Sequence, residues 1–253
     1  MDREYPCRAC QHPVKTHYCG FCGEYQQHER FTLQRVLSGI PNAILNFERG
    51  LLFTIRSLAI KPGVAIRDYL GGVRSKHYRP LNFVFLIGGL YTLLFSFVKI
   101  RGKLDAAAYD TAREAFIAEQ SLQYQAFLLL LQLPLLSIAS WLLFRRQKFY
   151  YGEHLIGNAY MVGEITLFQL ITFPLYVAFN HSVGVDVLNI VYLLFMAGFG
   201  FFTYFDWFFQ RRNEPAAVLL SITAVIVNIT IVTVSTGPLM MLIYRLKTLI
   251  FGE

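Results

Sequence analysis

Residues 126–144 read AFLLLLQLPLLSIASWLLF, a run without a single charge that ends against Arg145, Arg146 and Lys148. A bilayer core of roughly 30 Å takes about 20 apolar residues in a helix that rises 1.5 Å per residue, so this stretch has the length and composition of a membrane span. Four further stretches read the same way, at 81–98, 157–179, 187–209 and 216–236. The uncharged run from Ala216 to Tyr244 exceeds what one crossing needs, and Gly237-Pro238 interrupts it. That predicts a span to 236 and a short terminal helix over 239–251. The expected fold class is an all-α polytopic membrane protein with about five transmembrane helices.

Composition points the same way. The 253 residues are 55% hydrophobic and 15% charged, against roughly a quarter charged in soluble domains. With 23 Phe, 15 Tyr and only four Cys, disorder and a disulfide-stapled secreted domain are both excluded. The net charge of +7 is unevenly placed, because residues 1–80 hold 12 Lys/Arg and 6 Asp/Glu. This basic segment ends at Arg74, Lys76 and Arg79, directly before the first span. Positive flanks of that kind mark the cytoplasmic side. Nucleic acid is the poorer explanation, since neither a recognition helix nor an aromatic base-stacking motif accompanies the charge. Met1-Asp2-Arg3-Glu4-Tyr5-Pro6 runs into a cysteine pair without the apolar segment of a signal peptide. With the amino terminus cytoplasmic and the carboxyl terminus periplasmic, 17 Lys/Arg fall inside; Lys99, Arg101, Lys103, Arg113, Arg245 and Lys247 fall outside.

All four cysteines lie in two C-x2-C pairs, Cys7/Cys10 and Cys19/Cys22. Two such pairs supply the four thiolates of a closed, tetrahedral zinc site. Each pair suits a tight knuckle with backbone N–H groups aimed at sulfur, and Gly23 after the second pair offers the positive φ this turn favours. Gln11, after the first pair, fits that position less well. A redox dithiol would need a thioredoxin-like βαβ pattern, and a catalytic zinc would need an open coordination position. The ribbon, residues 1–28, therefore reads as structural, with His12, His17 and His28 as solvated loop residues.

Residues 29–80 show helical periodicity broken at Pro41, at Lys61-Pro62-Gly63 and at Gly71-Gly72, which predicts about three short helices. In the middle one Ile44, Phe47, Leu51, Ile55 and Leu58 share one face, with Arg49 and Arg56 on the other. Such a helix suits the membrane surface. Arg49, Arg56, Arg74, Lys76 and Arg79 are then candidate contacts to lipid headgroups, each worth ~1 kcal/mol near an anionic surface. The plainer reading of any one of them is orientation alone.

The transmembrane bundle, residues 81–253, holds a few polar groups that merit chemical attention. Glu164 falls near the middle of the third span, where an ionisable side chain is a functional candidate by default. Glu153, Gly157, Tyr160 and Glu164 follow helical spacing and form one stripe. The alternative is a strut, with Glu164 neutral or hydrogen-bonded to Asn228, Gln132 or a tyrosine. Glu153-His154 opens the same span and offers a proton shuttle or metal ligand; an interfacial helix start is the simpler reading. Asp206, among Tyr204, Phe205, Trp207, Phe208 and Phe209 and just before Arg211-Arg212, reads as an aromatic belt with a nearby counter-ion. Signatures of P-loop ATPases, zinc proteases and serine hydrolases are missing.

One order of motifs runs through the first third. Tyr18-Cys19-Gly20-Phe21-Cys22-Gly23 is followed by Arg30-Phe31-Thr32-Leu33, Gly50-Leu51-Leu52-Phe53-Thr54-Ile55-Arg56, Lys61-Pro62-Gly63, Tyr69-Leu70-Gly71-Gly72-Val73-Arg74 and Tyr78-Arg79-Pro80-Leu81. This order resembles the bacterial membrane family known as domain of unknown function 3667, and Tyr151-Gly152-Glu153-His154-Leu155 resembles its second motif. The resemblance implies a bacterial inner-membrane protein with a cytosolic zinc ribbon, and implies no reaction.

Three functional readings follow. The leading one is a non-enzymatic membrane module whose basic collar engages anionic lipid and whose ribbon docks a cytosolic protein partner. The second is a small-solute or proton-coupled transporter using Glu164 with Glu153 and His154 at its entrance. The third is a lipid-modifying membrane enzyme with His154 as general base. Homo-oligomerisation is open in all three. A watery cavity reaching Glu164 favours transport, a lateral groove ending at His154 favours an enzyme, and a dry bundle favours the module.

Overall fold

The structure, a computed structural model, describes residues 5–15, 17–23, 50–98, 125–180, 182–209 and 215–251. Two short strands, β1 (Tyr5–Pro6) and β2 (Pro13–Val14), pair antiparallel in the cysteine ribbon. Seven α-helices follow among the described residues: α1 Leu51–Ile60, α2 Pro62–Leu70, α3 Pro80–Ser96, α4 Gln125–Leu143, α5 Tyr151–Ala178, α6 Val183–Phe209 and α7 Pro215–Phe251. Pro62, Pro80 and Pro215 open α2, α3 and α7, where a missing N–H costs no helical bond and the fixed φ favours the helix.

Four helices are long and apolar enough to cross a membrane: α4, α5, α6, and α7 as far as Ile243. The stretch expected as a first span is the 17-residue α3, about 26 Å long and so at the lower limit for a crossing. The break expected at Gly237-Pro238 does not occur. Instead α7 is one helix of 37 residues with Pro238 inside it. A proline deletes only its own backbone donor, and a helix anchored by many other bonds tolerates that loss.

The long helix α5 is the axis of the bundle. Phe83 lies against Gly163 and Phe95 against Phe173, so α3 runs parallel to it. Ser140 meets His154 while Gln125 meets Gln169, so α4 runs antiparallel. Trp207 meets Gly157 and Asn189 meets Tyr176, so α6 is antiparallel too. The start of α3, the end of α4, the start of α5 and the end of α6 therefore share one end of the bundle, where α1 and α2 pack.

That packing explains the Lys61-Pro62-Gly63 break. Gly63 sits directly on the α6 backbone, where a Cβ would lie 2.2 Å from the Trp207 nitrogen. The Val64 amide donates to Asp206 Oδ2 at 3.2 Å. Arg67 donates to the carbonyls of Asp206 and Trp207, and its Nη2 stands 3.8 Å from Asp206 Oδ1. The counter-ion of Asp206 is thus Arg67, 139 residues away; Arg211 and Arg212 lie outside the described residues.

The segment before α2 also departs from expectation. Ile44, Phe47 and Arg49 lie outside the described residues, and α1 begins after Gly50, whose φ is +112°. Only glycine fits there, because a Cβ would come within 2.7 Å of the Lys76 carbonyl oxygen. The face predicted to rest on the membrane, Leu51, Ile55 and Leu58, turns inward instead. Thr54 on the same face accepts a hydrogen bond from the Tyr78 amide at 2.6 Å, and Leu58 is fully buried.

Candidate functional site

The ribbon is built from two matching knuckles. The Gln11 amide donates to the Cys7 carbonyl, and the Gly23 amide to the Cys19 carbonyl, both at 2.8 Å. Gln11 has φ +64° and Gly23 +74°, so the glutamine adopts the glycine-like turn that the second knuckle makes naturally. This strain is local and small compared with metal binding. The four Sγ atoms lie within 4.8 Å of one another. Cys7 Sγ to Cys22 Sγ and Cys10 Sγ to Cys19 Sγ are both 3.6 Å, far longer than a disulfide and close to the ~3.8 Å edge of a tetrahedron with Zn–S of about 2.3 Å. The donor set therefore fits one zinc ion.

Electrostatics favours metal binding further. Burial raises the Cys7 thiol, yet N–H groups of Cys10 and Ala9 and the neighbouring thiols outweigh it, bringing its pKa to about 6. The Cys10 thiol receives the His12 amide but is raised on balance by burial and by its neighbours Cys7 and Cys19. Zinc would replace this mutual repulsion with coordination.

The ribbon is fastened to the bundle. Lys76 Nζ donates to the Ala9 carbonyl at 2.5 Å, Arg8 reaches the Gly71 carbonyl at 3.4 Å, and Val73 packs against the cluster of Cys7, Ala9, Val14 and Cys19. The other side of the same loop is tied to the helices, with Tyr78 receiving Thr54 as acceptor and the Tyr160 hydroxyl as donor at 2.6 Å. The candidate headgroup residues thus divide. Lys76 holds the ribbon, and Arg74 donates to the Tyr69 carbonyl and lies over its ring. Arg56 and Arg79 are exposed, while Arg49 lies outside the described residues.

The intramembrane candidates separate as well. Glu153 caps its own helix by accepting the Tyr150 amide at 2.8 Å. Gly157 receives the Trp207 ring, where a Cβ would clash at 2.2 Å, and Tyr160 donates to Tyr78. The stripe is therefore a packing surface. Glu164 is buried, and its Oε2 has no partner among the described residues. The partners expected for it are engaged elsewhere: Gln132 donates to Thr236 and Asn228 to Tyr204. Glu164 is the fourteenth of the 28 residues of α5. Because Tyr160 meets Tyr78 at the start of α3, Glu164 lies only about one helical turn further along the bundle.

His154 belongs to a network that composition and spacing did not single out. Its Nδ1 is 3.0 Å from Ser140 Oγ; Asn158 donates to Ser140 and Ser137, Tyr204 donates to Asn158, and Asn228 donates to Tyr204. The ring is fully buried and enclosed by Phe149, Trp207 and Phe208. A cavity of about 30 Å³ touches the other end of this network, lined by Met161, Ile165, Met196, Tyr204, Val225 and Asn228 among others. A second polar cluster at the far end joins Tyr91, Gln125, Gln169 and Tyr192. Glu164 takes part in neither among the described residues. Single polar residues scattered over four helices carry no spacing signal, which is why only the fold reveals the network.

These features define a helical membrane protein with a cysteine ribbon seated on one end of its bundle. Residues 48–92 match the family described as "Protein of unknown function (DUF3667)", the family that the motif order resembles. The matched segment spans α1, the Pro62-Gly63 dock, the loop that carries the ribbon, and most of α3. No curated protein and no solved structure matches the chain.

Proposed function

We propose that this protein is a non-enzymatic module of the bacterial inner membrane. Its zinc-loaded ribbon presents a surface to a cytosolic protein partner, and its basic collar rests on anionic lipid headgroups. The observation that carries this reading is the seat of the ribbon. Lys76 and Arg8 hold the four-thiol cluster against the loop between α2 and α3, so a partner bound there has a rigid connection to the membrane bundle. The aromatic rings of Tyr18 and Phe21 lie on the exposed side of the ribbon, the residue class that anchors protein contacts. In this arrangement the basic amino-terminal end is cytoplasmic and the carboxyl terminus periplasmic, as the lysine and arginine distribution favours.

The other two readings receive less support. A general base needs access to substrate, and His154 is enclosed by aromatic rings. A transport route would join Glu164 to a wet path, whereas the cavity that touches the His154 network among the described residues is small and not lined by Glu164. The transporter keeps one observation in its favour, the buried Glu164 Oε2, which has no hydrogen-bond partner among the described residues.

A photo-crosslinking amino acid in place of Phe21, in the full chain in native membranes, tests the proposal. It should give one discrete protein adduct that disappears when zinc is chelated. Crosslinks to lipid alone, or an adduct indifferent to zinc, would overturn it.

A further inference from the structure

The outward face of α1 extends the lipid-binding reading, on which the following inference rests. Leu52, Phe53 and Ile60 are 81%, 46% and 56% exposed. On a helical wheel they fall with Arg56 and Ala59 within about a third of the circumference. The opposite side, Leu51, Thr54, Ile55 and Leu58, is the side packed on the bundle. The helix is thus apolar on both sides, with one arginine at the centre of the outer face and no acidic residue anywhere in it. A helix with two apolar faces needs a second apolar environment.

The register of α1 in the fold says which environment that is. Thr54 bonds the Tyr78 amide, and Tyr78 accepts the Tyr160 hydroxyl, two residues before the apolar helix α3 begins at Pro80. The midpoint of α1 therefore stands level with the first turn of α3, where the hydrocarbon region begins if α3 enters the bilayer there. Arg56 and Lys61 are exposed at the same level, suited to reach phosphate oxygens while their stems lie along acyl chains. We infer that α1 is an interfacial anchor: Leu52, Phe53 and Ile60 insert into the outer acyl layer of an anionic bilayer, and Arg56 binds lipid phosphate above them. The face that periodicity assigns to the membrane, Leu51, Ile55 and Leu58, packs on the bundle, and the lipid-facing side is the opposite one.

Spin labels placed through a ketone-bearing amino acid at positions 52 and 60 test this, in the full chain in nanodiscs of zwitterionic lipid with or without anionic lipid. Both positions should collide with oxygen several-fold more than with a water-soluble nickel chelate. Arg56→Gln should reduce that preference in anionic discs and have little effect in zwitterionic ones. Unchanged zinc content and a single gel-filtration peak serve as the folding control. Labels freely reached by the nickel chelate would overturn the anchor. Labels shielded from both reagents would also overturn it, showing that a second copy or another protein covers the face. A label at position 21 reads the ribbon separately, so loss of the partner-docking reading leaves this result standing, and the reverse.

Discussion

Removing zinc should loosen a loop that contains none of the metal ligands. Among the described residues between Cys7 and Cys22 the buried aliphatic side chains are Ala9 and Val14, worth ~2–4 kcal/mol together, whereas ordering each residue costs ~1–2 kcal/mol. The apo ribbon is then unfolded. Three contacts to the loop disappear with it: Lys76 to the Ala9 carbonyl, Arg8 to the Gly71 carbonyl, and the packing of half-buried Val73. Arg8 and Lys76 are exposed, so each bond is worth only a few tenths to ~1 kcal/mol, and Val73 adds about 1 kcal/mol. The loop loses ~1–3 kcal/mol, equivalent to roughly 5- to 150-fold more frequent opening. Hydrogen exchange by mass spectrometry, with and without chelator, reads this directly. The Val73 and His77 amides, which bond to Asp68 and Arg74, should exchange faster by that factor, while peptides from α5 stay protected. Exchange of 71–77 that is unchanged while the ribbon unfolds would refute the coupling.

Three further outcomes follow from the same geometry. Gly63→Ala places a methyl group 2.2 Å from the Trp207 nitrogen and Arg67→Ala strands an Asp206 carboxylate that is 3% exposed; each should cost ~2–4 kcal/mol in thermal unfolding in detergent, and a loss below about 0.5 kcal/mol would remove this dock from the account. Glu164→Gln replaces a carboxyl whose Oε2 has no hydrogen-bond partner among the described residues, so melting temperature should not fall; proton uptake by wild-type proteoliposomes that the variant lacks would favour the transporter. Zinc binding should weaken on acidification. In the unfolded apo ribbon the thiols keep the ordinary value of about 8.5, so each must release a proton to bind zinc throughout this range. Between pH 7.5 and 5.5 the affinity should therefore fall by at least about 100-fold, and a competition titration showing no change would contradict a thiolate site.

Much of this was legible in the residues, and the exceptions have physical causes. Apolar length identifies α4, α5 and α6 because a bilayer admits little else, and cysteine spacing identifies the ribbon because few other sites use two C-x2-C pairs. Periodicity finds α1 yet does not tell its inward side: with Leu and Ile all round, only the Thr54–Tyr78 bond reveals which side is inside. The Arg67–Asp206 pair and the Ser140–Asn158–Tyr204 network are invisible because their members are far apart in the chain and belong to no motif. The through-running α7 reflects how weakly one proline acts in a long helix whose other backbone bonds are kept.

The claim on which the account depends is a four-thiolate zinc ion in the ribbon. Zinc K-edge X-ray absorption on the purified full chain, with elemental analysis of the same sample, tests it most directly. The account predicts about one zinc per chain with four sulfur neighbours at ~2.3 Å, lost in Cys19→Ser. A metal-free wild-type chain, a Cys7–Cys22 or Cys10–Cys19 disulfide, or a zinc shell dominated by nitrogen or oxygen would contradict it.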